Sequence, residues 1–139
     1  LLIMSEEKAF ELGLTPLVEI IAQASSSKTP IEFTTAPVEA ITKVLHKANL
    51  SQDEIDVFEI NEAFAVVSLA VNKILGLDNK KINLNGGAIA LGHPIGASGA
   101  RILVTLIYEM IRQNSKYGLA SLCIGGGEAS AVIIKNYNK

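Results

Sequence analysis

Residues 85–101 read NGGAIALGHPIGASGAR and hold five of the eleven glycines in the chain. Glycine is used where the backbone must turn with a positive φ or pass close to another atom, and it carries an entropic cost inside helices and strands. The segment therefore predicts a shaped loop rather than a regular element. It follows a short apolar segment, Ile82–Leu84, that we predict as a strand, and it leads into an amphipathic pattern that predicts a helix over Ser98–Gln113.

The composition is that of one globular domain. A chain of 139 residues with 49% hydrophobic content can bury a single core, so we expect one domain over residues 1–139. A net charge of −2, 5% aromatic residues and the lack of a basic cluster argue against nucleic acid as a partner. No apolar run approaches the roughly 20 residues of a membrane span and no basic leader pattern is found, so no membrane association is expected. The single cysteine, Cys123, excludes an internal disulfide and fits a reducing compartment, so we expect a cytoplasmic location, or a mitochondrial one in a eukaryote.

The first residues of the chain are unusually apolar. Leu1–Met4 has the composition of a buried strand, and no polar residue precedes it. Because a complete protein rarely begins inside its own core, we expect the chain to be a piece of a longer protein.

Strand and helix patterns alternate along the chain. Leu17–Ser25 is almost continuously apolar, which favours a strand covered on both faces in a parallel sheet. Asp56–Ile60 predicts a short strand, and it leads into an apolar helix that we expect to be buried on nearly all sides. The other predicted elements are a short helix capped by Ser5 that ends before Gly13, an amphipathic helix from Thr35 to about Asn49, and a C-terminal antiparallel hairpin of GLASLCI and ASAVIIKNY. This order predicts an α/β fold with a mixed sheet and helices on both faces.

Three residues occupy positions where functional loops of such sheets lie. Asn61 follows the predicted strand DVFEI, His93 lies in the glycine-rich loop, and Cys123 ends the first strand of the hairpin. In parallel sheets the functional loops follow the carboxyl ends of the strands. Each residue also has a purely structural explanation: Asn61 could cap the next helix, His93 could bond to the loop backbone, and Cys123 could be a small buried apolar residue.

Taken together, these residue types favour acyl transfer. His93 can take or give a proton near neutral pH, and Pro94 keeps it off a helix. Glycine amides after Cys123 can donate hydrogen bonds to a developing oxyanion, so the two side chains suggest a thiol and its base. GHPIGASG matches neither the dinucleotide-binding nor the P-loop pattern, so no nucleotide cofactor is expected. One cysteine with one well-placed histidine is not a metal-ligand set, so no metal ion is expected. The other histidine, His46, falls on the polar face of its helix and is expected to be solvated.

Three ordered motifs resemble those of a known family. NEAFA at residues 61–65, NGGAIALGHPIGASGAR at 85–101 and CIGGG at 123–127 resemble the C-terminal half of thiolases, and the resemblance extends over essentially the whole chain. The CIGGG form is more similar to the acetoacetyl-CoA, or biosynthetic, thiolases. The resemblance implies a three-layer thiolase-like fold, in which a mixed five-stranded sheet carries helices on both faces and forms one half of a two-half molecule.

The resemblance also implies roles for single residues. His93 would be the base that activates the nucleophilic cysteine and would help to form an oxyanion hole. Asn61 would hold a water beside the thioester carbonyl, and the N–H of Gly125 would serve the other oxyanion hole. Cys123 would be a second catalytic cysteine that moves protons to and from the α-carbon or the leaving thiol.

The substrates implied are acyl-CoA and CoA, with no covalently bound cofactor, and Ala63 and Phe64 would line the tunnel for the pantetheine arm. The reaction implied is the Claisen condensation of two acetyl-CoA molecules or the thiolysis of acetoacetyl-CoA. The acylated nucleophile of thiolases belongs to an N-terminal domain that is absent here, so we expect the isolated chain to be inactive and the working protein to be a homo-oligomer. The alternatives are a non-catalytic thiolase-like binding or dimerisation module, and a related condensing enzyme such as a ketoacyl synthase, whose loops differ.

Overall fold

A computed structural model describes all 139 residues, and a four-stranded sheet lies at its centre. The strands are β1 (Val18–Ser27), β2 (Val57–Ile60), β3 (Tyr117–Cys123) and β4 (Glu128–Asn136). The helices are α1 (Glu6–Glu11), α2 (Ala36–Ala48), α3 (Ala65–Leu75), α4 (Ala88–Leu91) and α5 (Ser98–Gln113). Short 3₁₀ helices occupy Pro30–Thr35, Gln52–Glu54 and Asn79–Lys81. None of the helices combines the length and the apolar character required to cross a bilayer.

The sheet is mixed, and its strand order is β1-β4-β3-β2. β4 pairs with β1 and with β3 in antiparallel fashion, whereas β2 and β3 are parallel. β3 and β4 form the predicted C-terminal hairpin, with Cys123 opposite Ala129 next to the turn. Because β2 and β3 are parallel, with Ile60 opposite Ser121, their carboxyl ends lie at the same end of the sheet.

Helices cover both faces of this sheet, as predicted. Successive side chains of a strand point to opposite faces. Phe58 of β2 packs with α2 and α3 in one core cluster, whereas Val57 packs with α5 in a second cluster. The helix α5 buries a stripe of large apolar residues: Ile102, Leu106, Ile107 and Met110. Full burial of such a side chain stabilises the fold by about 1.5–3 kcal/mol, so this stripe anchors the helix that follows the glycine-rich loop.

The helix ends follow local signals in the sequence. The hydroxyl of Ser5 accepts a hydrogen bond from the backbone N–H of Lys8 (3.2 Å) and caps α1, and Gly13, with a φ of +65°, follows the end of that helix. The helix α5 begins and ends at the predicted residues, and Asn114, with a φ of 57°, forms its left-handed cap. These boundaries confirm the sequence predictions.

The sheet has four strands instead of the five that the resemblance implied. Ile82 makes only an isolated parallel bridge to Phe58, because Asn83 has a φ of 47° and ends the extended conformation. The strand predicted over Leu1–Met4 was also wrong, since residues 1–3 are between 61% and 79% exposed and pair with no strand. An apolar run forms a strand only where a neighbour offers hydrogen bonds, and neither edge of this sheet pairs with it.

Two further elements have a different environment from the one predicted. β1 is an antiparallel edge strand rather than a strand buried in a parallel sheet, and only Ala22 and Ser26 of its ten residues are buried. The helix α3 is not buried on all sides: Val67 and Val71 face the core, whereas Leu69 is 68% exposed. An apolar run predicts the type of element but not how many neighbours pack against it.

Candidate functional site

Asn61 and Cys123 lie at the carboxyl ends of the two parallel strands. The backbone N–H of Asn61 donates to the carbonyl oxygen of Ser121 in β3 (2.9 Å), and Cys123 ends β3 two residues later. The alternative explanation of Asn61 as a helix cap is wrong, because α3 begins at Ala65 with Phe64 in the cap position. Both strand ends therefore present candidate residues at the same end of the sheet.

His93 lies beside Asn61. Nδ1 of His93 is 3.5 Å from Nδ2 of Asn61, and the backbone between Gly92 and Pro94 belongs to no helix or strand. Asn61 is 1% exposed, and its Oδ1 has no hydrogen-bond partner. A buried amide oxygen without a partner is costly, so this oxygen requires a partner that the chain itself does not supply, such as a bound water.

Ser98, the first residue of α5, is a hydrogen-bond partner of Nδ1 of His93. Oγ of Ser98 lies 2.5 Å from Nδ1 of His93 and 3.1 Å from the carbonyl oxygen of Pro94. With its one proton on the bond to Pro94, the hydroxyl can accept from Nδ1–H of His93. In the neutral ring Nε2 is then unprotonated. Because His93 is only half-buried, Nε2 can accept a proton from a group outside the chain.

Cys123 is a buried thiol. It is 7% exposed and packs in the same core cluster as Val67 and Ala129. Burial raises the pKa of the Cys123 thiol above its ordinary value of 9.0, and a backbone hydrogen bond offsets part of the rise. The thiol is therefore protonated at neutral pH, which suits a proton donor better than a ready thiolate nucleophile. Cys123 makes no hydrogen bond to Asn61 or to His93.

The turn after Cys123 presents a free backbone amide. The N–H of Gly127 closes the turn by donating to the carbonyl oxygen of Ile124 (3.0 Å). Gly127 has a φ of +102°, and a Cβ there would lie 2.4 Å from the carbonyl oxygen of Lys28, so only glycine fits. Gly125 is exposed, and its N–H makes no hydrogen bond within the chain. This N–H can donate to an outside acceptor, as an oxyanion hole requires.

An exposed apolar surface adjoins these residues. Ala63 is half-buried against the core, and Phe64 is 61% exposed, with its ring edge against Phe33 at a centroid distance of 6.0 Å. Further exposed apolar side chains are close in sequence to His93 and Cys123: Ile89, Leu91, Ile95 and Ile124. No three His, Cys, Asp or Glu side chains converge as metal ligands would.

Comparison with known proteins identifies the family. Residues 14–136 match the family model described as "Thiolase, C-terminal domain". The chain belongs to the thiolase family. A Dictyostelium discoideum protein described as a "Probable acetyl-CoA acetyltransferase" is 54% identical over 134 residues, which cover 96% of this chain and 32% of that protein. The acetyl-CoA acetyltransferase of Escherichia coli (strain K12) is 53% identical over 138 residues, which cover 99% of this chain and 35% of that protein.

Solved thiolase structures share the fold. The crystal structure of the Bacillus anthracis acetyl-CoA acetyltransferase superposes on 96% of this chain and 34% of that one, with a TM-score of 0.93 and 48% identity. The predicted α/β thiolase fold is therefore confirmed, with four strands in this chain. The chain spans about a third of the length of the thiolase relatives it matches.

Two features of this thiolase domain were missed in the sequence. Ser98 was predicted only as a helix start, although a serine five residues after His93 and four after Pro94 can reach both. The second feature is an ion pair between the buried Glu59 and the partly exposed Arg101, in which Oε2 of Glu59 lies 3.3 Å from Nη1 of Arg101. The signal for the pair was an acidic residue within the apolar strand DVFEI.

The ion pair connects the two elements that carry the site. Glu59 lies on β2, two residues before Asn61, and Arg101 lies on α5, three residues after Ser98. Burial raises the pKa of Glu59 to about 7, although the charge and hydrogen bond of Arg101 oppose the rise. The nearby carboxylates of Glu109 and Glu62 add to it. The pair therefore connects β2 with α5, and with a pKa of about 7 the carboxyl of Glu59 is partly protonated at neutral pH.

Proposed function

We propose that residues 1–139 are the C-terminal catalytic domain of an acetyl-CoA C-acetyltransferase. Such an enzyme joins two acetyl-CoA molecules in a Claisen condensation or cleaves acetoacetyl-CoA with CoA in the reverse thiolysis. The observation that carries the proposal is the imidazole of His93, whose Nδ1 lies 2.5 Å from Oγ of Ser98 and 3.5 Å from Nδ2 of Asn61, and whose Nε2 makes no hydrogen bond within the chain. A base of defined tautomer next to open hydrogen-bonding groups is what acyl transfer to and from a thiol requires.

In thiolysis, Nε2 of His93 takes the proton of a nucleophilic cysteine as the sulfur attacks the 3-keto carbonyl of acetoacetyl-CoA. The C–C bond then breaks, the acetyl group stays on that sulfur, and the α-carbon of the released acetyl-CoA takes a proton from Cys123. The thiol of CoA then gives its proton to the Cys123 thiolate, and its sulfur attacks the acetyl group. A second acetyl-CoA leaves as the sulfur of the nucleophilic cysteine takes back its proton from His93. The raised pKa of Cys123 supports the role of proton donor, because the thiol holds its proton until the carbanion forms.

Negative charge that develops on the carbonyl oxygens is stabilised with the help of Asn61 and Gly125, whose side-chain oxygen and backbone N–H have no partner within the chain. Asn61 holds a water at the thioester carbonyl together with His93, and the N–H of Gly125 donates to the oxyanion on the acylated cysteine. Removing one such donor from an enzyme typically costs about 10²–10³ in kcat. The open Oδ1 of Asn61 and the unbonded N–H of Gly125 support these assignments.

The acylated cysteine lies outside residues 1–139 in this proposal. Cys123 is the only cysteine of the chain and is buried with a raised pKa, so it is poorly suited to carry the acetyl group. The remaining part of the protein supplies that cysteine, packs near the exposed apolar surface and completes the pantetheine tunnel lined by Ala63 and Phe64. The substrates are CoA thioesters, no covalently bound cofactor takes part, and the isolated chain is inactive.

A chimera tests this function. The segment of the E. coli acetyl-CoA acetyltransferase that aligns with this chain is replaced by residues 1–139, and thiolysis of acetoacetyl-CoA is measured for the chimera, the E. coli enzyme and the isolated chain. We expect activity in the chimera and none in the isolated chain. A folded but inactive chimera would favour the non-catalytic module. Activity of the isolated chain that is lost in Cys123→Ala would show that Cys123 itself carries the acetyl group.

A further inference from the structure

The end of β2 is tied to the glycine-rich loop by the side chain of Asn83. Oδ1 of Asn83 accepts a hydrogen bond from the N–H of Ile60 (2.8 Å), and Nδ2 donates to the carbonyl oxygen of the same residue (2.9 Å). These backbone groups of Ile60 point away from β3, because the N–H of Asn61 is the one that bonds to Ser121. The amide of Asn83 therefore takes the place that a residue of a further strand would occupy.

Glu62 extends this connection into the loop. Its Oε1 accepts from Nδ2 of Asn83 (3.3 Å), and its Oε2 accepts from the backbone N–H of Ile89 in α4 (3.1 Å). The loop passes directly over the carboxylate at Gly87, where an added Cβ would lie 2.3 Å from the carboxyl carbon of Glu62. Asn83 and Glu62 together form what we call the loop clamp, and Gly87 is the residue that lets the loop approach it.

We propose that Asn83 and Glu62 are positioning residues for the acyl transfer proposed above, and that they act through Asn61. The clamp bonds Ile60 and Glu62, which are the two chain neighbours of Asn61, to the segment that leads into His93. It thereby fixes the separation between the Asn61 amide and the imidazole. Ser98 does not duplicate this role, because its side chain bonds to His93 and to the carbonyl oxygen of Pro94 and makes no hydrogen bond to β2. The inference rests on the proposed function.

The variant Asn83→Gly in the chimera isolates the contribution of the Asn83 side chain to kcat. Asn83 has a φ of 47°, which glycine adopts without strain, so the variant loses the clamp but keeps the backbone conformation. Asn49→Gly is the matched control, because Asn49 is exposed at the end of α2 and has a φ of 54°. We expect Asn83→Gly to lower kcat roughly 10- to 100-fold, as a displacement of about 1 Å in the site would, while KM for acetoacetyl-CoA stays within about threefold. The control keeps the kcat of the chimera.

A double-mutant cycle with Asn61 separates positioning from general damage. In an Asn61→Ala background the clamp has no amide to position, so Asn83→Gly should lower kcat by less than about twofold. Glu62→Gln keeps the volume of the side chain but turns an N–H toward one of the two donors, so it breaks one bond of the clamp and should reproduce the loss of kcat. If Asn83→Gly does not fold, Glu62→Gln provides the same test.

Two results would overturn the inference. One is an unchanged kcat in a folded clamp variant, and the other is the same loss of kcat with and without the Asn61 amide. An inactive parent chimera would overturn the proposed function and this inference with it. An active chimera that tolerates Asn83→Gly would overturn only this inference.

Discussion

At the scale of single residues, the candidate site depends on which ring nitrogen of His93 carries the proton. In the proposed mechanism Oγ of Ser98 accepts from Nδ1–H of His93, and this bond leaves Nε2 as the basic nitrogen. In the chimera, Ser98→Ala frees the ring to rotate and to change tautomer, so we expect kcat to fall roughly tenfold with little change in KM. Ser26→Ala is a matched control, since Ser26 is also buried and donates to a backbone carbonyl, that of Ala36 (2.7 Å). A Ser98→Ala chimera with the parent kcat would contradict this role.

The residues of the site could be predicted from the sequence only where their type was unusual for their position. His93 between a glycine and a proline is unusual in this sense, whereas Asn61 was also compatible with a helix cap, and the structure brings the two side chains together. Ser98 is not unusual, because serine is common at the start of a helix. Its contact with His93 depends on how the loop folds back, which the spacing of residues does not reveal.

At the scale of elements, the turn between β3 and β4 has one glycine that the fold requires, Gly127, and one that alanine can replace, Gly125. Gly127→Ala places a Cβ against the carbonyl oxygen of Lys28 at a φ of +102°, so we expect it to destabilise the chain by about 2 kcal/mol or more. Gly125→Ala meets no atom within 4 Å and should change the stability by less than about 0.5 kcal/mol. Thermal unfolding of the two variants checks this contrast, and equal melting temperatures would contradict it.

The contact between β2 and α5 should make stability depend on pH through Glu59. Its carboxyl has a pKa of about 7 in the folded chain against an ordinary value of 4.5, so the folded state binds more protons between these values. Stability therefore falls by about 3 kcal/mol as the pH rises from 4.5 to 7, and the contribution is constant above that range. Glu59→Gln should remove this fall in urea unfolding at pH 5 and pH 8. Glu39→Gln, at an exposed ion pair with Lys43, should keep it, and an unaltered pH dependence in Glu59→Gln would refute the assignment.

The sequence predicted whether most segments are helices or strands. It predicted less well which other elements pack beside them. The bounds of α5 and the presence of the C-terminal hairpin were confirmed, with the hairpin strands shifted by one residue, because a long apolar stripe and a glycine-rich turn are strong local signals. β1 was placed wrongly inside the sheet, since a continuous apolar run is compatible with an edge as well as with the centre. At the β2 edge of the four-stranded sheet the side chain of Asn83 makes the two bonds to Ile60 that a further strand would make, which the sequence pattern did not indicate.

At the scale of the whole molecule, the chain exposes more large apolar side chains than its sheet and helices can cover. Leu69 on α3 is 68% exposed, Tyr108 on α5 is 61% exposed, and Ile95 beside the site is 85% exposed. We therefore expect the isolated chain to self-associate at micromolar concentration, with a mass by light scattering above 14.8 kDa. Leu69→Lys should reduce the association, and Thr42→Lys, which adds the same charge to an exposed polar position, should not. A monomer at all concentrations would contradict this expectation. The homo-oligomeric state of the complete enzyme stays a prediction.

The central claim is that this thiolase domain supplies the base for acyl transfer. The most direct test is the rate of acetoacetyl-CoA thiolysis by the chimera carrying His93→Gln, with His46→Gln as its control. His46 is exposed on α2, so its replacement should leave the rate unchanged, whereas loss of the base should lower kcat roughly 10²- to 10⁴-fold. Equal rates for the two variants would contradict the claim and favour a domain that only binds.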